Sequence, residues 1–94
     1  MTHQEFDFTI VARAGLTQKE FAVLSGVSRV TANLWVMGKM SPHRYIKART
    51  SRVIDTLELT IASGTLPLPD SVPSLERGRA IKAAFKQAYD SVIA

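Results

Sequence analysis

Arg29 and Asn33 stand about one helical turn apart in GVSRVTANLWVMGK, residues 26–39. Guanidinium and carboxamide groups form planar, two-pronged hydrogen-bond pairs. On a wheel of about 100° per residue they share one side with Val30 and Met37, while Thr31, Ala32 and Trp35 share the other. The pattern predicts a helix with one side buried and the other presented. The charge around it is one-signed. Between Glu20 and Asp55 there is no acid, yet there are six bases: Arg29, Lys39, Arg44, Lys47, Arg49 and Arg52. Each flank of this stretch carries a net −1, so the stretch itself outweighs the chain's total of +4. A segment free of carboxylates sets up a positive field, and such a field favours a polyanion.

Catalytic chemistry has little to stand on. His3 and His43 have no carboxylate at a fixed spacing, and Asp55-x-x-Glu58 reads as a solvated helix surface. There is no glycine-rich phosphate loop and no nucleophile motif. The chain has no cysteine, which removes disulfides, thiolate metal sites and a thiol nucleophile. The expectation is a protein that is no enzyme and uses no cofactor or metal. Its 94 residues, 46% hydrophobic and 21% charged, suit one globular domain. No apolar run nears the roughly 18 residues of a membrane span. The start, MTHQEFDFT, is too polar for a signal peptide, so a cytoplasmic protein without membrane attachment is expected.

The surrounding elements read as helices. Thr2-His-Gln-Glu5 has the form of a capping box ahead of EFDFTIVARA, where Phe6, Ile10 and Ala14 fit one helix face. The alternation of Phe6, Phe8 and Ile10 is strand-like, but a lone strand would lack a partner, which favours helix. Gly15 ends that segment, and Thr17 caps a second helix, QKEFAVLS, with Phe21, Ala22 and Leu24 inward. Gly26 breaks it, Ser28 caps the third helix, and Gly38 stops that one after Met37. Ser41-Pro42 predicts the start of a long fourth helix, serine as N-cap and proline first, with Ile46, Val53, Ile54, Leu57 and Ile61 on one stripe. Ser63-Gly64 closes it. TLPLPDSVPS reads as an extended connector. A last helix from about Ser74 to Ile93 lines up Ile81, Phe85, Ala88 and Val92, with Arg79, Lys82 and Lys86 opposite. The fold class expected is all-α: a compact helical bundle over residues 1–64, a proline-rich connector over 65–74 and a C-terminal helix over 75–94.

The stretch LTQKEFAVLSGVSRVTANLWVMGK resembles the helix-turn-helix of the phage-repressor-like, Xre-type family of DNA-binding proteins. The matching features are the small residue Ala22, the turn glycine Gly26, apolar Val27, Ala32 and Trp35, and the Leu-Thr-Gln start and Gly-Lys end. The resemblance covers about 24 residues. It implies a second helix lying in the DNA major groove while the first crosses the backbone. By position, Ser28, Arg29, Val30 and Asn33 would face base edges: Arg29 to guanine, Asn33 to adenine and Val30 to a thymine methyl. Gln18 and Thr31, with Lys39, Arg44 and Lys47, would contact phosphates. Phe8 and Val11 stand where the family often carries two arginines, so phosphate contacts from the first helix are not expected. Arg49 and Arg52 point away from Arg44 and Lys47 on the wheel. Val36 and Met37 make the presented side less polar than the family's.

The resemblance implies a sequence-specific double-stranded DNA-binding transcriptional regulator, a repressor, bound as a homodimer to an inverted repeat. The stripe Ile81, Phe85, Ala88 and Val92 reads as a buried face. Whether it packs on its own domain or on a second subunit stays open, and the connector favours a dimer. The alternative is a helix-turn-helix that grips a partner protein, as in an antitoxin or anti-activator, favoured by outward Val30, Val36 and Met37.

Overall fold

A computed structural model describes residues 6–93. It is all-helical, with no strand among the described residues. In chain order it has α1 (Ile10–Arg13), α2 (Gln18–Ser25), α3 (Arg29–Val36), a short 3-10 turn (Arg44–Ile46), α4 (Lys47–Ala62) and α5 (Ser74–Ile93). Helix α2 packs on α3, α4 lies against α5, and both α1 and α2 touch α4.

The start of the chain differs from expectation. The capping box at Thr2–Glu5, and His3 within it, lie outside the described residues. Beyond them α1 is a single turn of four residues. Asp7 accounts for its late start: its Oδ1 accepts the Thr9 N–H at 3.0 Å and the Thr9 hydroxyl, bonds that compete with a helical backbone. The turn over Phe8 and Thr9 that leads into α1 places Phe8, rather than Phe6, in the core. Phe8 is buried with Ile10, Val11 and Ala14, its ring stacked on Trp35 at 5.8 Å and edge-on to Phe21 at 6.0 Å, whereas Phe6 is half-buried.

Caps and turns of the next two helices follow the sequence reading. The Thr17 Oγ1 accepts the Glu20 N–H at 3.1 Å, while the Glu20 carboxylate accepts the Thr17 N–H at 2.8 Å. This reciprocal box satisfies two otherwise orphaned donors at the start of α2. Ser28 caps α3, its Oγ accepting the Thr31 N–H at 3.1 Å.

The fourth helix starts later than Ser41-Pro42 predicts. His43 takes the cap role, its Nδ1 accepting the Tyr45 N–H at 3.3 Å, and a 3-10 turn leads into α4 at Lys47. Pro42 is buried ahead of the helix rather than at its first position. Val53, Ile54 and Leu57 are buried, Ile46 and Ile61 partly so. Buried Thr50, Thr56 and Thr60 extend the stripe. Their hydroxyls donate to the carbonyls of Ile46, Arg52 and Leu57, so none is left without a partner in the apolar interior.

One expectation about the C-terminal third is refined and one corrected. Residues 65–73 form neither helix nor strand, in keeping with a connector, but Leu66 within them is buried in the same core as Phe8, Trp35 and Leu57. The chain there also passes so close to Gly15 that a Cβ on that glycine would meet the Pro67 Cβ at 2.6 Å. The stripe of α5 faces its own subunit: Ile81, Ala84 and Ala88 are buried, Phe85 packs on the core, and Val92 is half-buried. Ile81 and Ala88 are therefore not free to form a dimer contact, while Phe85 and Val92 are only half-buried. Burial of such side chains contributes roughly 1.5–3 kcal/mol for a large aliphatic one, which holds α5 to α4.

Candidate nucleic-acid interface

Helix α3 is anchored from behind by Ala32 and Trp35, which are almost completely buried. Ahead of it, Gly26 sits at φ +72° and ψ +29°, a left-handed turn that side chains with a Cβ avoid. That turn lets α3 start three residues after α2 ends, with the Val27 N–H donating back to the Ala22 carbonyl at 3.1 Å. At the far end Gly38, at φ +73°, follows Met37 and closes α3.

The side left facing outward carries most of the expected contact residues. Ser28, Arg29 and Val30 are exposed; Thr31 and Asn33 are half-buried. Ser28 is partly committed to the fold, since its hydroxyl donates to the Thr31 Oγ1 at 3.0 Å while capping the helix. Thr31 is thereby tied to the cap. Val36, expected outward, packs against the core beside Phe8, Val11, Leu16 and Gln18. Val30 and Met37 do face out, 69% and 55% exposed, and Met40 follows them. Gln18 opens α2 and is half-buried. Phe8 and Val11, at the positions where arginines would reach a phosphate, are core residues.

The six bases of the acid-free stretch lie on α3, the segment after it, the 3-10 turn and α4. Arg29, Lys39, Arg44, Arg49 and Arg52 are exposed and Lys47 is half-buried. Among the described residues no ion pair engages Arg29, Lys39, Arg49 or Arg52; the salt bridges of Arg13 and Arg77 lie elsewhere. Arg44 lies over the Tyr45 ring, its Cζ 4.9 Å from the ring centroid, and its Nη2 donates to the Tyr45 hydroxyl at 3.0 Å. The His43 ring approaches the same tyrosine at 4.8 Å between centroids. This exposed cluster follows directly on the loop after α3, and the sequence reading had picked out only Arg44 from it.

Arg49, which the helical wheel turns away from Arg44 and Lys47, was not among the expected contact residues. Its guanidinium lies over the α2–α3 turn, where a Cβ on Gly26 would meet Nη2 at 3.5 Å and Cζ at 3.6 Å. The wheel of α4 gives its direction around that helix but not that the turn lies there. Arg49 therefore belongs with the cations near α3.

Farther back, Arg77 of α5 donates through Nε to the Glu20 Oε2 at 2.8 Å and through Nη2 to the Glu20 Oε1 at 3.1 Å and to the Gly15 carbonyl. Burial pushes the Glu20 carboxyl up, but the Arg77 hydrogen bonds and charge, with the Thr17 N–H and hydroxyl, outweigh it and hold the carboxyl below its ordinary value. The pair fixes the start of α2, and with it the frame on which α3 sits. No protein family, curated protein or solved structure matches this chain. No helix among the described residues is long and apolar enough to cross a membrane.

Proposed function

We propose that the protein is a sequence-specific double-stranded DNA-binding regulator of the Xre-type helix-turn-helix kind, acting as a repressor, with α3 as the reading helix. The observation that carries this is the two-sided build of α3. Ala32 and Trp35 lock one side into the core, while exposed Arg29 and half-buried Asn33 occupy the other, in a stretch without carboxylates. Guanidinium pairs two-pronged with the guanine major-groove edge, and carboxamide with adenine. Val30 would meet a thymine methyl. Lys39, Arg44 and Lys47 would engage phosphates, joined by Arg49 at the turn.

Two copies on an inverted repeat would place two α3 helices about one DNA turn, roughly 34 Å, apart. Buried Ile81 and Ala88 favour a contact between copies made elsewhere than through the α5 stripe.

A second reading is favoured by the exposed apolar side chains of Val30, Met37 and Met40, which suit a protein partner better than a duplex. Gel retardation across a salt series, with random duplex as competitor, separates the two. A retained preference for one sequence near ~0.2 M salt supports the regulator, and loss of all binding without preference supports the protein-binding module.

A further inference from the structure

Behind the α2–α3 pair, a groove of about 320 Å³ runs between α2 and α5. Val23, Leu24 and Ile81 give it apolar walls, and Lys19 and Lys82 line it from the two helices. Gly78 leaves its α5 side open, since a Cβ there would meet nothing within 4 Å. Glu20 also borders the groove, but its carboxylate is engaged by Arg77 and by the Thr17 N–H, which leaves the two lysines to set the local charge. Leu75, fully exposed, continues the same face of α5 by its spacing from Gly78 and Lys82.

The structure assigns this groove as a binding site for a small amphipathic anion, an apolar body carrying one carboxylate. Its volume is about ten water-sized units of roughly 30 Å³, near the lower end for ligand pockets, and matches an acyl or aryl body of about ten heavy atoms. Apolar walls take up such a body, and two lysines without a competing free carboxylate select the negative head over a neutral or positive one. A second copy of this chain docking through the same groove would set Lys19 and Lys82 against their own counterparts, so like charge disfavours that occupant. The site is independent of what α3 reads.

Calorimetric titration of the full chain tests it with decanoate, decanol and decyltrimethylammonium, each kept below its micellar concentration. Expected are saturable one-site binding of decanoate and at least tenfold weaker binding of the other two. Gly78→Leu fills the groove from an exposed helical position where leucine favours the helix, and should abolish decanoate binding while keeping the native circular dichroism. Lys82→Glu leaves Lys19 opposed by one carboxylate and should abolish the preference for decanoate over decyltrimethylammonium, while Lys19→Glu with Lys82→Glu should reverse it; both give a readout of their own if the filled variant folds poorly. Non-saturable uptake, equal affinity for the anionic and cationic probes, or decanoate binding undiminished in folded Gly78→Leu would overturn the assignment.

Discussion

Glu20 and Arg77, 57 residues apart, form a two-pronged ion pair that ties the first turn of α2 to the first turns of α5. The same arginine reaches the Gly15 carbonyl, so one side chain joins the turn before α2, the cap of α2 and the C-terminal helix. The pair is partly buried, with 35% of the Arg77 side chain and 19% of that of Glu20 exposed. Hydrogen bonds between charged groups in such a setting contribute about 1–2 kcal/mol after allowance for solvent.

This pair makes stability depend on acidity. The folded-state pKa of Glu20 lies below its ordinary value of 4.5, so the unfolded chain takes up that proton first as the solution is acidified. Its contribution is complete above about pH 4.5 and is lost as pH falls through the folded-state value. Denaturant midpoints of wild type and Arg77→Met should differ most near pH 7, and the difference should narrow as pH falls below 4.5 and through the folded-state value, leaving only the part due to the Gly15 carbonyl. A difference constant across that range would mean the pair does not couple to Glu20 titration.

The inward stripe of α5 predicts that Ile81→Ala costs about 2–5 kcal/mol. Because Ile81 is buried against its own subunit, the loss should be the same at every protein concentration. Melting over a hundredfold dilution range checks this; a concentration-dependent loss would return the stripe to a dimer interface.

Gly15 and Gly64 share nearly the same left-handed backbone, φ +69° and +77°, but differ in their surroundings. Alanine at either position meets a backbone cost of about 1–2 kcal/mol. At Gly15 the added Cβ also meets the Pro67 Cβ at 2.6 Å, whereas at Gly64 it meets nothing within 4 Å. Gly15→Ala should therefore destabilise by clearly more than Gly64→Ala in urea titrations. Equal losses would show that residues 65–74 move away freely.

Ser25 and Ser28, three residues apart, should respond oppositely to alanine. The Ser25 Oγ is buried and has no hydrogen-bond partner among the described residues, so Ser25→Ala should be neutral or stabilising by up to about 1 kcal/mol. Ser28→Ala removes the cap of α3 and should cost about 1 kcal/mol. Thermal melts of the two variants side by side decide it.

What the sequence made legible was local. Thr17, Ser28, Gly26, Gly38 and Gly64 mark helix ends through bonds and backbone angles set within a few residues, and each end lies where those residues put it. The exposed side of α3 was readable for the same reason. The Arg77–Glu20 pair was not legible because its partners lie 57 residues apart. Leu66 looked like linker because proline spacing says nothing about what the chain folds over. Arg49 was left out of the expected contacts because a helical wheel carries no information about the neighbouring helix. At α1 the helix covers only the end of the short segment EFDFTIVARA, and just ahead of it Asp7 accepts the Thr9 N–H, a bond that the apolar spacing does not reveal.

Selection of bound sites from a random duplex pool, carried out in parallel with wild type and Arg29→Ala, tests most directly the proposal that α3 reads duplex sequence through Arg29 and Asn33. Wild type should enrich one discrete motif, with inverted symmetry if two copies bind. Arg29→Ala should lose preference at one base pair per half-site and bind the best site ~1–3 kcal/mol more weakly. No enrichment by wild type, or an identical motif and affinity from Arg29→Ala, would contradict it.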